Sequence, residues 1–295
     1  HGLIDRFSKE WRAAYAKAKE ALGYDFDIGK DQLLFGILYG DFRLPMHKDL
    51  EKAGKLDKIV LGWMLTLPEI TPKQRAFIEA VLDWRELDKL LNTYLRPWCY
   101  EWMEKQGDIS VIYPNLNFVG PETRRFSAHD PNLQNVPTRT DRGLMLRGCF
   151  RSRPGWSTYS MDESQAEFRC FAHYSKDNRL IKAYRDSRDT DIHQVVSVLL
   201  GVLRKVGKNL NFGLLYGMGI EKLARELTNT LKRLVTSAEA KLLKETYFQK
   251  VPNIRALMKE LERAIGLTGC VRDMFGGRRH LTPADAYKAL NTLMQ

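Results

Sequence analysis

A chain of 295 residues, 44% of them hydrophobic, is long enough to bury a sizeable core and to divide into two or three subdomains. Its 47 Lys and Arg against 36 Asp and Glu leave a formal charge of +11 and a pI of about 9.4, an excess that favours a polyanionic partner, nucleic acid ahead of an acidic membrane surface. No apolar run suggests a membrane span, the first residues do not read as a signal peptide, and Cys99, Cys149, Cys170 and Cys270 stand too far apart to signal a zinc site or a disulfide framework, so a reducing compartment is expected.

Residues 1 to 105 read as helical. Phe7, Trp11, Tyr15 and Ala18 keep helical spacing, and a helix-forming run extends from Thr71 to Tyr94. Basic residues recur between Lys48 and Lys58, as a solvated helix surface or as a grip on a phosphate backbone. Near Gly107 the texture changes: Ile109–Tyr113 and Trp156–Met161 are rich in β-branched and aromatic residues and predict strands. From Ser164 to Arg263 the pattern is mainly helical again, with a break near Asp186 to Asp191. Helices and strands segregated in this way predict an α+β protein.

Between the two predicted strands, residues 123–139 are dense in Asn, Gln, Arg and Pro. So many donors and acceptors form either a solvated loop or a surface that hydrogen-bonds a polar ligand, and these side chains suit base edges and sugars in a minor groove. Asp162 follows, where the aromatic strand gives way to a helix. A carboxylate there is either a helix cap or a hard oxygen ligand for Mg²⁺.

The stretch R-K-V-G-K-N-L-N-F-G-L-L-Y-G runs from Arg204 to Gly217. Arg204, Lys208, Phe212 and Tyr216 recur every four residues, so on a helix each sits about 40° round from the last and all four share one face. Two cations followed by two flat rings could receive a polyphosphate tail and the base it belongs to; taken alone, they also fit a solvated basic turn followed by buried aromatics.

Asp162-Glu163-Ser164-Gln165-Ala166-Glu167-Phe168-Arg169 resembles motif A of the family A (polymerase I-like) DNA polymerases, D-Y-S-Q-I-E-L-R, and Arg204 to Gly217 resembles their motif B, R-x-x-x-K-x-x-N-F-G-x-x-Y-G. Thr123 to Ser127 with Asp130 to Pro137 is similar to the family's T-G-R-L-S-S-x-x-P-N-L-Q-N-I-P segment, Arg85-Glu86-Leu87 with Lys89-Leu90 and Thr93-Tyr94 to its thumb helix, and Asp191-Ile192-His193 to its D-I-H.

The resemblance implies a right-hand architecture: a thumb with preceding helices over 1–105, the first part of a palm with a partial antiparallel sheet over 106–177, helical fingers over 178–288, and a return to the palm over 289–295. Asp162 and Lys208 would be the catalytic residues, and Asp162 with the backbone carbonyl of Glu163 would hold metal. Arg204, Lys208, His193, Phe212, Tyr216, Gln165 and Glu167 would bind the nucleotide, Glu167 closing off the sugar's 2′ position. Arg125, Asn132, Gln134, Asn135 and Arg139, with Asn291 and Gln295, would line the primer-template duplex. Two Mg²⁺ ions would activate the primer 3′-OH and stabilise the leaving pyrophosphate. Deoxynucleoside triphosphates and primer-template DNA would be the partners of a monomer that accessory replication proteins can join. The setting would be the cytoplasm of a bacterial or phage-infected cell, or an organelle, with no membrane.

Several features depart from the family pattern. Glu163 stands where Tyr is usual and Arg124 replaces the Gly of T-G-R, while Leu200–Leu203 and Arg272–Asn291 look abridged. No H-D-E of motif C occurs, so a fragment, or the ordered parts, of a longer protein is expected. The readings that remain are a DNA polymerase, a single-subunit RNA polymerase, which Glu167 argues against, and a polymerase-like DNA-binding protein without activity.

Overall fold

The computed structural model describes residues 1–47, 56–121, 125–187 and 189–294, with the backbone alone at Leu214 and Leu215. The basic stretch from Lys48 to Lys55, together with Thr123, Arg124 and Gln295, lies outside the described residues. The chain divides into two compact units, His1–Met46 with Gly54–Met161, and His47–Ala53 with Asp162–Gln295.

In the first unit, α1 (Gly2–Leu22) buries Phe7, Ala14 and Ala18 along one stripe and stops at Gly23, whose φ of 93° is readily reached only without a Cβ. After the short α2 (Asp31–Phe35) and α3 (Lys58–Met64), α4 (Pro72–Lys89) packs against α1. Its start is written locally. The Thr71 hydroxyl accepts from the Gln74 N–H at 3.2 Å, the Gln74 side chain accepts from the Thr71 N–H at 2.9 Å, and Pro72 opens the first turn. The helix runs on through a π-helical turn, Leu90–Leu95, so that Leu87, Leu91 and Tyr94 close on Phe7 in one core. Phe7 and Leu91 are fully buried, a gain of roughly 2 kcal/mol each.

Two hairpins follow. β1 (Met103–Gln106) pairs antiparallel with β2 (Ile109–Ile112), and β3 (Asn115–Asn117) pairs with β4 (Ser127–His129). Thr140 then caps α5 (Asp141–Arg147), whose Arg142 forms ion pairs with Glu10 of α1 and with Asp83 and Glu86 of α4. The predicted strand at Ile109–Tyr113 is present as β2. The one predicted at Trp156–Met161 is not: this segment pairs with no strand among the described residues, with Trp156, Tyr159 and Met161 at 75%, 84% and 92% exposure. β propensity yields a strand only where a neighbour takes the backbone hydrogen bonds and the side chains have a surface to cover, and no described segment offers that here.

The second unit is helical: α6 (Ala166–Ser175), α7 (Asn178–Asp186), α8 (Ile192–Leu200), α9 (Arg204–Leu215), α10 (Ile220–Leu231), α11 (Ser237–Lys250) and α12 (Pro252–Thr268). Asp177, Asp191 and Thr236 cap α7, α8 and α11 through their side chains. A hairpin of β5 (Cys270–Arg272) and β6 (Arg278–His280) and the short α13 (Ala289–Met294) complete the unit. Phe168, Phe171, Leu210, Leu227, Tyr247 and Ile254 share its core. α8 and α9 approach closely at Gly207, where a Cβ would lie 2.9 Å from the His193 carbonyl oxygen. Among the described residues, helices segregated from three two-stranded antiparallel sheets make this an α+β fold, as the sequence predicts.

Candidate functional site

α9 carries Arg204, Lys208 and Phe212 one turn apart, and Tyr216 continues the row just past the helix end. The Phe212 and Tyr216 rings stack with centroids 6.0 Å apart and planes 10° from parallel, while the Lys208 ammonium lies 5.7 Å from the Phe212 centroid. The Tyr216 hydroxyl donates to the Glu167 carboxylate of α6, 2.9 and 3.1 Å from its two oxygens. Phe168, the next residue of α6, meets Phe212 edge-on at 5.2 Å. One short segment therefore supplies both the acid and the ring that meet the aromatic end of α9.

The cationic end of that row is held by the start of α8. Asp191 caps α8 by accepting from the His193 and Gln194 N–H groups and forms an ion pair with Arg204. Burial pushes the Asp191 carboxyl up, but Arg204 and the two backbone N–H groups outweigh burial and hold it below the usual range. His193 is 7% exposed. Its ring lies 4.9 Å from Phe168 and 5.4 Å from Phe212, and its Nδ1 is 3.1 Å from the Asn211 side-chain nitrogen. Burial lowers the imidazole pKa, the charges of Lys208 and Arg204 add to that, and Asp191 opposes it.

Gln165 sits in the left-handed region, φ 56°, ahead of α6. Its amide donates to the Thr190 carbonyl at 2.7 Å and accepts from the Tyr184 hydroxyl at 3.1 Å and the Ile192 N–H at 3.3 Å. Those bonds tie the segment after Asp162 to the end of α7 and the start of α8, and they compete with any contact to a nucleotide. Asp162 and Glu163 are exposed in the irregular stretch before α6. Among the described residues no three His, Cys, Asp or Glu side chains gather as a metal site. Asp162 and the Glu163 carbonyl nonetheless offer two hard oxygens, and a Mg²⁺ ion takes the rest of its shell readily from substrate phosphates and water.

In the first unit, a cleft of about 840 Å³ is lined by Arg85, Lys89 and Tyr94 on one side and by Gln134, Asn135 and Arg139 on the other. The structure thus brings the α4 run together with the Asn/Gln-rich loop, which the sequence separates by some 40 residues. Tyr94 links the two by donating to the Asn135 carbonyl at 2.9 Å. Asn132 accepts from the Gln134 N–H, and the Gln134 side chain bridges the Ala128 N–H and the Phe126 carbonyl, so both shape the loop itself. Arg125, Asn135 and Arg139 are exposed. Asn291 is half-buried on α13 of the second unit.

A sequence model of DNA polymerase family A matches residues 1–295. The chain belongs to DNA polymerase family A. It is 32% identical over 280 residues to a thermostable DNA polymerase I of Thermus caldophilus, covering 90% of this chain and 31% of that protein. It is 31% identical over 300 residues to a DNA polymerase I of Helicobacter pylori, covering 99% of this chain and 31% of that protein. The chain therefore spans about a third of the length of the curated relatives it matches. Among solved structures, the polymerase domain of Pol1 from M. smegmatis, in complex with a DNA primer-template and dNTP, superposes with a TM-score of 0.80 at 26% identity, covering 99% of this chain and 52% of that one.

Three residues at the site of this family A chain escaped the sequence reading. Asn211 lies inside motif B and Asp191 inside the D-I-H match, but neither spacing nor composition says that one touches His193 and the other Arg204. Tyr247, whose hydroxyl donates to the Asn211 oxygen at 2.9 Å, carried no signal, because a Tyr at a helical core position reads as packing.

Proposed function

We propose that this chain forms part of a template-directed DNA polymerase that adds deoxynucleotides to a primer 3′-OH. The observation that carries the reading is the α9 row with its Glu167 partner: two cations, two stacked rings and an acid hydrogen-bonded to the outermost ring. Arg204 and Lys208 would neutralise the triphosphate, and positive charge fixed in place before the reaction stabilises the charge redistributed during phosphoryl transfer. Phe212 and Tyr216 would meet the sugar and base. The Glu167 carboxylate, held by Tyr216, would occupy the space a ribose 2′-OH needs, which favours deoxynucleotides over ribonucleotides.

The family implies divalent metal, and Asp162 with the Glu163 carbonyl would hold it. When bound, such ions supply charge for the attacking and leaving oxygens. In the first unit, Arg125, Asn132, Gln134, Asn135 and Arg139 would contact primer-template DNA. The M. smegmatis neighbour, solved with a DNA primer-template and dNTP, supports those partners, and the bacterial relatives support a cytoplasmic setting. Among the described residues no helix is long and apolar enough to cross a membrane.

Primer extension by the full-length protein with Mg²⁺, using each deoxy- and ribonucleotide separately, tests the reading. Template-directed extension with deoxynucleotides is expected. Duplex binding without extension would establish a DNA-binding protein instead, and equal use of both sugars would remove Glu167 as the basis of selection.

A further inference from the structure

We propose that Tyr247 and Asn211 are positioning residues that hold His193 as the Nε2–H tautomer, so that the ring meets the nucleotide's phosphates as an uncharged hydrogen-bond donor. The inference rests on the proposed function of this site, with His193 among the residues expected to bind the nucleotide. It begins with the proton that has least choice. The Tyr247 side chain is 1% exposed, and among the described residues its hydroxyl has one hydrogen-bond partner, Asn211 Oδ1 at 2.9 Å. A buried donor left unspent costs more than a buried lone pair left unspent, so the phenol donates and the Asn211 oxygen faces it.

That choice fixes the Asn211 amide, itself 1% exposed, with its nitrogen 3.1 Å from His193 Nδ1. An amide nitrogen only donates, so Nδ1 must accept, and the neutral ring then carries its proton on Nε2. The reverse arrangement would have Tyr247 accept while its own proton went unpaired in the core. A neutral ring suits its surroundings: His193 lies among Phe168 and Phe212, and a third cation beside Arg204 and Lys208 would be repelled by both. The relay spans three helices, from α11 through α9 to α8. It makes a core phenol, remote in sequence, responsible for which ring nitrogen the nucleotide meets.

Full-length protein labelled with ¹⁵N-histidine tests this, because long-range ¹H–¹⁵N correlations distinguish the two neutral tautomers; the spectrum of His193→Gln assigns the signal. The wild type should show the Nε2–H form. Tyr247→Phe and Asn211→Leu should each give a mixture of tautomers and raise the apparent KM for the incoming nucleotide roughly fivefold, with kcat changing less, the size expected from one compromised hydrogen bond. Tyr247→Phe removes a single oxygen and carries the test should Asn211→Leu fail to fold. An Nδ1–H ring in the wild type, or an unchanged tautomer in both variants, overturns the proposal. A changed tautomer with an unchanged KM sustains the relay and overturns the place of His193 at the triphosphate.

Discussion

Tyr216 and Glu167, 49 residues apart in the chain, form a hydrogen-bonded pair in which the phenolic oxygen lies 2.9 and 3.1 Å from the two carboxylate oxygens. The pair joins α6, which follows Asp162 in sequence, to the ring end of α9.

Removing either half should loosen sugar selection by different amounts. On the proposed reading, Glu167→Ala would open space beside the sugar and remove the carboxylate that the Tyr216 hydroxyl bonds, so ribonucleotide use should rise at least about tenfold relative to deoxynucleotide use while overall efficiency falls. Tyr216→Phe leaves the carboxylate in place but removes this hydrogen bond, and should cost only part of the discrimination. The measurement is kcat/KM for each sugar in all three proteins. An unchanged ratio in Glu167→Ala would show that the carboxylate does not face the 2′ position.

Lys208→Ala should slow nucleotide addition far more than it weakens primer-template affinity, because a charge 5.7 Å from the Phe212 ring centre lies on the row proposed to meet the nucleotide. Arg204→Ala should mostly raise the apparent KM. Single-turnover extension alongside duplex titration separates the two effects. Equal losses of duplex affinity in both variants would favour a solvated basic face.

Asp191 gives stability a pH dependence. Its folded-state pKa is held below the unfolded value, so its contribution is fully present above the unfolded pKa and is lost as pH falls through the depressed one. Asp191→Asn keeps a good cap but removes the charge that faces Arg204. Because both side chains are a third or more exposed, at 53% and 34%, the difference in stability should be only about 0.5 kcal/mol near neutral pH. It should shrink toward zero below the usual carboxylate range. Denaturant melts of both proteins across pH 3 to 7 read this, and a difference that stayed constant over that range would contradict it.

The row on α9 was legible because helical periodicity is a property of spacing alone. What the sequence withheld depends on distant partners. Glu10, Asp83 and Glu86 surround Arg142 from 132, 59 and 56 residues away, and nothing local marks them as a set. Gln165 reads as a ligand-facing residue in its motif, yet its amide bonds to Thr190, Tyr184 and Ile192, because a left-handed backbone at φ 56° accompanies a side chain turned to that seam. Trp156–Met161 has strand composition and no strand, since pairing belongs to two segments and composition to one.

Gly207 tests the seam between α8 and α9. Alanine in its place would gain up to about 1 kcal/mol of helix propensity. Its Cβ would also meet the His193 carbonyl at 2.9 Å and Ser197 at 3.2 Å. Backbone on both sides cannot yield easily, so the clash, about 1–3 kcal/mol, should win and Gly207→Ala should be less stable than the wild type. A thermal melt with an unchanged or higher midpoint would mean that the two helices can part without cost.

Phe212 is the residue on which the reading of the α9 row turns. Its ring is stacked on Tyr216 and edged by Phe168, so its orientation is set by neighbours on two sides. On the proposed reading Phe212 lies near the incoming sugar, where a Phe offers no hydroxyl to stand in for the 3′-OH that a dideoxynucleotide lacks. The natural substrate's 3′-OH can satisfy a contact to its own phosphates; without it a phosphate oxygen is poorly paired and the analogue is penalised. The wild type should therefore discriminate against chain terminators. Phe212→Tyr adds one oxygen at nearly constant shape and should erase much of that discrimination while barely changing use of normal deoxynucleotides. The ratio of kcat/KM for dideoxy and deoxy substrates, measured in both proteins, decides the matter. A ratio that does not move would mean that Phe212 does not face the sugar and that the row on α9 presents another edge to the nucleotide.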